Sequence, residues 1–366
     1  MLVKQIKNKS KIIITYLVLF FAFDILYSNF IYKENLKYNC YKYSKNFHYL
    51  QKNCKAKEKW IKNAVAYNVF TDDDGFRFQG KDSKKKTSNI AVFLGDSFTY
   101  GMGLEYEETF VGIIDKKKEN YLIKNLGVQG YSPSVYLYQL TKLKKENILP
   151  RKIFVVLDLS DVFEEASIWK NDNSFEHPVL IKERSLEEID SKISFKEKNF
   201  KASRFIARKI NNFFRKIRIM NSKKLKSKKI PGNSYWGNFI HTDLSDTDQM
   251  LWNPIGFSEA LKKIEINFIK MSEITKDINA ELYIIIYPWP DTLYKGQTKF
   301  NWEKYSSNLC SLSKCKKLIS LFPEFQDIMN NHDNWLTKIF IAGDLHITPF
   351  GQKVIAKKIL EEGFNK

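Results

Sequence analysis

Four short apolar runs are each closed by a loop, and most lead on to a helical pattern. Residues 89–94 (NIAVFL), 121–126, 152–157 (KIFVVL) and 281–287 (ELYIIIY) are six or seven residues long and rich in Ile, Val and Leu. Runs this short and this uniformly apolar suit strands covered on both faces, which is the habit of a parallel sheet. Helical patterns occupy residues 108–118 and 134–145, and Thr348-Pro349 opens a last helix over 350–361, with Thr as cap and Pro in the first turn. Residues 317–321 offer a short fifth strand. The rhythm predicts an α/β fold, and in such folds sites lie beyond the carboxyl ends of the strands.

The first strand runs directly into Gly95-Asp96-Ser97-Phe98-Thr99-Tyr100-Gly101. A serine there is placed for exposure at the top of a sheet, and its neighbouring glycines permit a tight turn. The chain lacks G-x-S-x-G, so the usual α/β-hydrolase elbow is not expected. A serine nucleophile needs a base, and the base needs an orienting acid. Of five histidines (His48, His177, His241, His332 and His346), only His346 has a carboxylate in a suitable local pattern, Asp344-Leu345-His346. In extended backbone, residues two apart face the same way, so Asp344 can hold one imidazole nitrogen while the other faces Ser97. Oxyanion donors are expected at the Ser97 amide, at Gly130 in the loop after the second strand, and at Ser160 in the loop after the third. Ordinary turn chemistry accounts for each loop alone; their shared placement after successive strands is what points to a site.

Together these blocks resemble the SGNH hydrolases of the GDSL lipase and acylhydrolase class. The matching residues are Gly95 to Gly101, Asn125 to Tyr131 with Gly130, and Asp344, His346, Pro349 and Gly351, preceded by Asp74-Gly75-Phe76-Arg77. The resemblance implies a flavodoxin-like three-layer sandwich with a parallel sheet. It further implies Ser97 as nucleophile, His346 as base and Asp344 as its partner, with no metal or organic cofactor. Ser160 stands where the family usually carries an asparagine donor. The Asp-x-His spacing is that of polysaccharide-modifying relatives rather than of secreted lipolytic ones. The expected activity is hydrolysis of an acyl ester, on a cell-envelope glycan or lipid. Transfer of the acyl group to an extracellular polysaccharide, and a non-catalytic envelope scaffold, are the alternatives.

Charge and hydropathy patterning bear on location. The chain has 366 residues and a net charge of +19. Residues 196–229 alone carry +13 and residues 1–11 carry +4, which leaves the rest close to neutral and argues against a nucleic-acid-binding face. Residues 12–32 (IIITYLVLFFAFDILYSNFIY) are long enough to span a bilayer. They predict an uncleaved signal anchor, with a cleaved signal or a buried soluble helix as alternatives, and Asp24 is a costly charge within the span. The expected layout is a cytoplasmic tail (1–11), a single transmembrane helix (12–32), a stalk and lead-in (33–85) and a periplasmic hydrolase domain (86–366). That domain carries a basic insertion at about 163–275, in which Ile206, Ile210, Phe213, Ile217 and Met220 form one helical stripe. This stripe fits a docked surface helix, a helix lying on anionic lipid, or a binder of an acidic polymer. Cys40, Cys54, Cys310 and Cys315 form two sequence-local pairs, which are either disulfides in an exported body or free thiols.

Overall fold

The computed structural model describes residues 2–31, 40–44, 47–60, 65–81, 85, 87–170, 179–180, 202–203, 206, 254–297, 300–342 and 344–365. Two compact units are present: residues 1–35 with 185–228, and residues 36–184 with 229–366.

The larger unit carries twelve strands among its described residues: β1 (Tyr41–Tyr43), β2 (His48–Leu50), β3 (Lys55–Glu58), β4 (Tyr67–Thr71), β5 (Arg77–Phe78), β6 (Ile90–Leu94), β7 (Leu122–Asn125), β8 (Lys152–Leu157), β9 (Trp169–Lys170), β10 (Val179–Leu180), β11 (Glu281–Ile286) and β12 (Lys317–Ser320). Helix α1 (Leu2–Leu26) belongs to the smaller unit. The larger unit holds α2 (Ser97–Tyr100), α3 (Phe110–Lys117), α4 (Pro133–Lys145), α5 (Leu159–Ser167), α6 (Phe257–Asp277), α7 (Pro290–Lys295), α8 (Trp302–Leu312), α9 (Phe322–Asn331), α10 (Trp335–Ile339) and α11 (Pro349–Gly363).

Eight strands form one sheet in the order β12-β11-β8-β6-β7-β5-β4-β3. The first five pair in parallel, and β5, β4 and β3 extend the sheet antiparallel from β7. The parallel strands alone follow the flavodoxin-like order, and the order reverses where β6 meets β8. The sheet is therefore mixed rather than parallel throughout.

The two sheet faces are sorted by strand alternation. Val92, Leu94, Val155, Leu157, Ile284 and Ile286 pack with Val135, Leu140, Ile264 and Phe268 of α4 and α6. Ala91, Phe93, Phe154, Val156 and Ile285 face the other way, onto Phe110, Ile114, Ile355 and Ile359 of α3 and α11. Both faces of each strand are buried, which is why the runs read as continuously apolar.

Residues 33–85 were expected as a stalk and lead-in, but the sheet differs there, because this region supplies β3, β4 and β5. In β4 buried and less buried residues alternate, as a half-covered strand requires. Asp72 closes the turn after β4, its Oδ1 accepting from the amides of Asp74 (3.1 Å) and Phe76 (2.7 Å), and Lys124 pairs with Asp74 at 2.6 Å. Disulfides join Cys40 to Cys54 and Cys310 to Cys315. Of the insertion, α6 packs against α4 and α5 as part of a helical layer. Most of the basic stripe, Ile210 to Met220, lies outside the described residues.

In the smaller unit, α1 runs through much of the expected span and continues as a π-helical turn, Tyr27–Ile31. Among the described residues no helix is long and apolar enough to cross a membrane. Asp24 is fully buried and well partnered: its carboxylate accepts from the amides of Ala202 and Ser203, each at 2.8 Å, and from the hydroxyls of Ser203 and Ser28.

Candidate active site

Ser97 is the first residue of α2, immediately beyond the carboxyl end of β6 at the point where the strand order reverses. Asp96 caps this short helix, its Oδ1 accepting from the Phe98 amide at 2.9 Å. Gly95 is required by close packing: a Cβ there would lie 2.0 Å from Thr99 Oγ1.

The serine faces the loop that precedes α11. His346 Nε2 lies 2.9 Å from Ser97 Oγ, and His346 Nδ1 lies 2.8 Å from Asp344 Oδ2. Backbone pairing fixes this loop, with Ile341 N–H donating to His346 O at 2.7 Å and Phe340 bridging Ile347. The imidazole is held between two aromatic rings, Phe98 at 4.8 Å and Trp60 edge-on at 5.1 Å. The Trp60 indole also donates to Asp344 Oδ2, and the Leu345 amide donates to Oδ1 at 2.7 Å. Burial alone would push the Asp344 carboxyl up, but the hydrogen bond and charge of His346, with the Leu345 and Trp60 donors, hold it below the ordinary carboxylate range. An ionised Asp344 orients the imidazole with Nδ1 protonated and Nε2 free to accept.

The loop after β7 is tied to the serine loop. Asn125 Nδ2 donates to Thr99 O (2.8 Å), Gly127 N–H to Asn125 Oδ1 (2.9 Å) and Val128 N–H to Gly95 O (3.1 Å). Gly130 adopts φ +73°, in the region that favours glycine, and its carbonyl accepts from the Trp169 indole at 2.8 Å. His48 supports this loop from outside: its Nε2 lies 2.7 Å from Gln129 O, and Tyr131 O–H donates to His48 O. Arg77, fully buried, donates to the carbonyls of Tyr100, Gly101 (2.8 Å) and Leu104, fastening the chain beyond Ser97.

Ser160 lies at the start of α5, but its hydroxyl is turned toward carboxylates. Oγ lies 2.5 Å from Asp158 Oδ1 and 3.2 Å from Asp96 Oδ2. A hydroxyl has one proton, and the short contact commits that proton to Asp158 rather than to an oxyanion. Asp158 also accepts from the Tyr287 hydroxyl, and Asp161 accepts from Tyr136 O–H at 2.7 Å and from the Asp158 amide at 2.7 Å. Asp96, Asp161 and Glu164 are thus crowded together beneath the site. Burial first, and the charges of their neighbours second, push all three carboxyls well above their ordinary values.

Sequence reasoning singled out Ser97, Asp344, His346, Gly130 and Ser160, and these five lie on four segments: those that follow β6, β7 and β8, and the loop before α11. It missed Trp60, Tyr287 and Glu164. Glu164 alone carried a local signal, as an acid on the buried face of a helix that opens at a strand end. His177 and His241 lie outside the described residues, and His332 sits 2.8 Å from Lys338 Nζ. A cavity of about 600 Å³ is lined by Phe47, Tyr49, Phe76, Tyr131 and Tyr138 among others, and Ser97, His346 and Asp344 are not among its lining residues.

No family model matches this chain, and no curated protein matches it. Among solved structures it is similar to a member of the lipolytic protein G-D-S-L family from Veillonella parvula, at 14% identity over 76% of this chain and 99% of that one, with a TM-score of 0.41. The psychrotrophic esterase EstA from Pseudoalteromonas is similar at 12% identity over 75% and 97% of the two chains, TM-score 0.39. Axe2, an acetylxylan esterase from Geobacillus stearothermophilus, is similar at 10% identity over 77% and 97%, TM-score 0.41.

Proposed function

We propose that this chain is a serine-dependent ester hydrolase. The observation that carries the reading is the continuous path from Ser97 Oγ through His346 to Asp344, at 2.9 and 2.8 Å. In that path His346 Nε2 takes the Ser97 proton as Oγ attacks the acyl carbon. The developing oxyanion is met by the backbone amides of Ser97 and Gly130. Asp344 stabilises the imidazolium, which then gives its proton to the leaving alcohol. Water, activated by the same imidazole, releases the acyl group and restores the serine.

The substrate is an acyl ester of a cell-envelope glycan or lipid, and the hydrolase domain lies outside the cytoplasm. Two disulfides support an oxidising compartment. Attachment to the membrane through α1 is supported by the exposure of Ile12, Ile14, Leu17, Val18, Leu19 and Phe21 along that helix. Release of 4-nitrophenol from 4-nitrophenyl acetate by the wild type, and its loss in Ser97→Ala, tests the activity. Equal release by both proteins would overturn it. Recovery in the membrane fraction after an alkaline wash tests the attachment, and recovery in the soluble fraction would overturn that part.

A further inference from the structure

Glu164 is the one carboxyl in the cluster beneath the site that the catalytic path does not use and the packing does not explain. It is 8% exposed, and its Oε2 is enclosed with no hydrogen-bond partner among the described residues. Its neighbour Glu165, by contrast, is saturated. Glu165 accepts from Ser132 Oγ (2.6 Å), Ser134 N (2.5 Å) and Ser134 Oγ (2.7 Å), and pairs with Lys263 at 2.7 Å. An unpartnered buried carboxyl is costly, so its retention calls for a role.

The other oxygen of the same carboxyl supplies one. Oε1 of Glu164 lies 3.7 Å from the point where a side chain on Gly130 would begin. Gly130 is the residue whose amide is the second oxyanion donor of the proposed reaction. The third donor expected from sequence, Ser160, is occupied by Asp158 and Asp96. We infer that the Glu164 carboxyl is the third donor of this site, giving its O–H to the substrate carbonyl oxygen beside Gly130 as that oxygen gains charge. This assignment rests on the esterase reading above.

The step needs no proton transfer. As Ser97 Oγ bonds to the acyl carbon, the carbonyl π electrons move onto oxygen, and the hydrogen bond from Glu164 strengthens while the proton stays on the carboxyl. Such a donor must be protonated at working pH, and the surroundings favour this. Asp96 from the β6–α2 turn, Asp158 and Asp161 from the start of α5, and Glu165 beside it all disfavour a charge on Glu164. Tyr136 of α4 feels the same carboxyl, and His48 lies 4.0 Å from the same point on Gly130.

The test uses the full chain, 4-nitrophenyl acetate and four proteins: wild type, Ser97→Ala, Glu164→Gln and Glu164→Leu. Glutamine keeps an N–H donor at every pH, and leucine has none. The expected result is a loss of about 10²–10³ in kcat for Glu164→Leu with KM little changed. Wild type is expected to lose kcat on the alkaline side as Glu164 ionises, and Glu164→Gln is expected to stay within about tenfold of wild type and to lack that fall. Fluorophosphonate labelling of Ser97 in Glu164→Leu reports that the site is still folded. A Ser97-dependent rate that Glu164→Leu leaves unchanged overturns this assignment alone. So does an alkaline fall that persists unaltered in Glu164→Gln. A rate that Ser97→Ala leaves unchanged overturns the esterase reading and this one with it.

Discussion

Trp60 donates its indole N–H to Asp344, a residue 284 positions away in the sequence, and meets the His346 imidazole in a T-shaped contact with ring centroids 5.1 Å apart. The contact touches both the acid and the base of the proposed catalytic path. Trp60→Phe keeps an aromatic edge against the imidazole and removes only the donor. A hydrogen bond to a charged group contributes roughly 1.5–3 kcal/mol. The expected outcome is a fall of about tenfold or more in kcat, with KM unchanged, in steady-state hydrolysis of 4-nitrophenyl acetate. An unchanged kcat would show that Asp344 is held without it.

In the proposed reaction Asp344 acts by fixing the imidazole tautomer. Asp344→Asn preserves size and presents a donor or acceptor with no charge, so His346 loses both its orientation and the stabilisation of its protonated form. A fall of up to about 10⁴ in kcat is expected. The Ser97 hydroxyl stays in place, so the protein is expected to fold as before by circular dichroism.

The carboxyl cluster makes stability depend on pH in a defined direction. Burial and mutual charge raise Asp96, Asp161 and Glu164 above their ordinary values. The native state therefore binds protons that the unfolded chain has released. Their contribution is fully present below the ordinary values, 3.8 for the two aspartates and 4.5 for Glu164, and is lost as pH rises through the raised native values. Asp344 has the opposite sign: its native value is lowered, so its contribution is present above 3.8 and lost as pH falls below that. Urea unfolding across a pH series is expected to show falling stability on the alkaline side. The fall is expected to be shallower in Glu164→Gln, which removes one raised group.

Arg77 is fully buried, donates to three carbonyls of the segment beyond Ser97 and lies over the rings of Tyr100 and Tyr67 at 4.7 and 5.5 Å. Arg77→Met leaves those buried carbonyls without their charged donor and removes the positive charge that opposes the burial-driven rise of the Glu58 carboxyl. Breaking a buried charged network costs about 3–5 kcal/mol. A drop of that size in unfolding free energy is expected, together with lost activity. Arg77→Lys is expected to recover only part, because one ammonium cannot reach three carbonyls as a planar fork does.

How much of this was legible before the structure follows from the range of each interaction. Strands β6, β8 and β11 read directly, because burial on both faces leaves an unbroken apolar run. Ser97 read from its strand end, and Asp344 with His346 from a two-residue spacing in extended backbone. Strand β3 did not read: Lys55–Glu58 is KAKE, an edge strand whose charged residues suit solvent and hide the pattern. Trp60 and Tyr287 did not read either, since their roles exist only through contacts 284 and 129 residues away. Ser160 read as a donor from its position on the strand end. The two carboxylates that hold its hydroxyl come from different loops, one of them 64 residues distant.

The central claim is that Ser97 is a nucleophile activated by His346. Labelling with a fluorophosphonate probe, followed by intact mass and peptide mapping, tests it most directly. One adduct is expected on the wild-type chain, located on Ser97, greatly slowed in His346→Ala and absent in Ser97→Ala. An unlabelled wild type, or an adduct that survives Ser97→Ala, would contradict it.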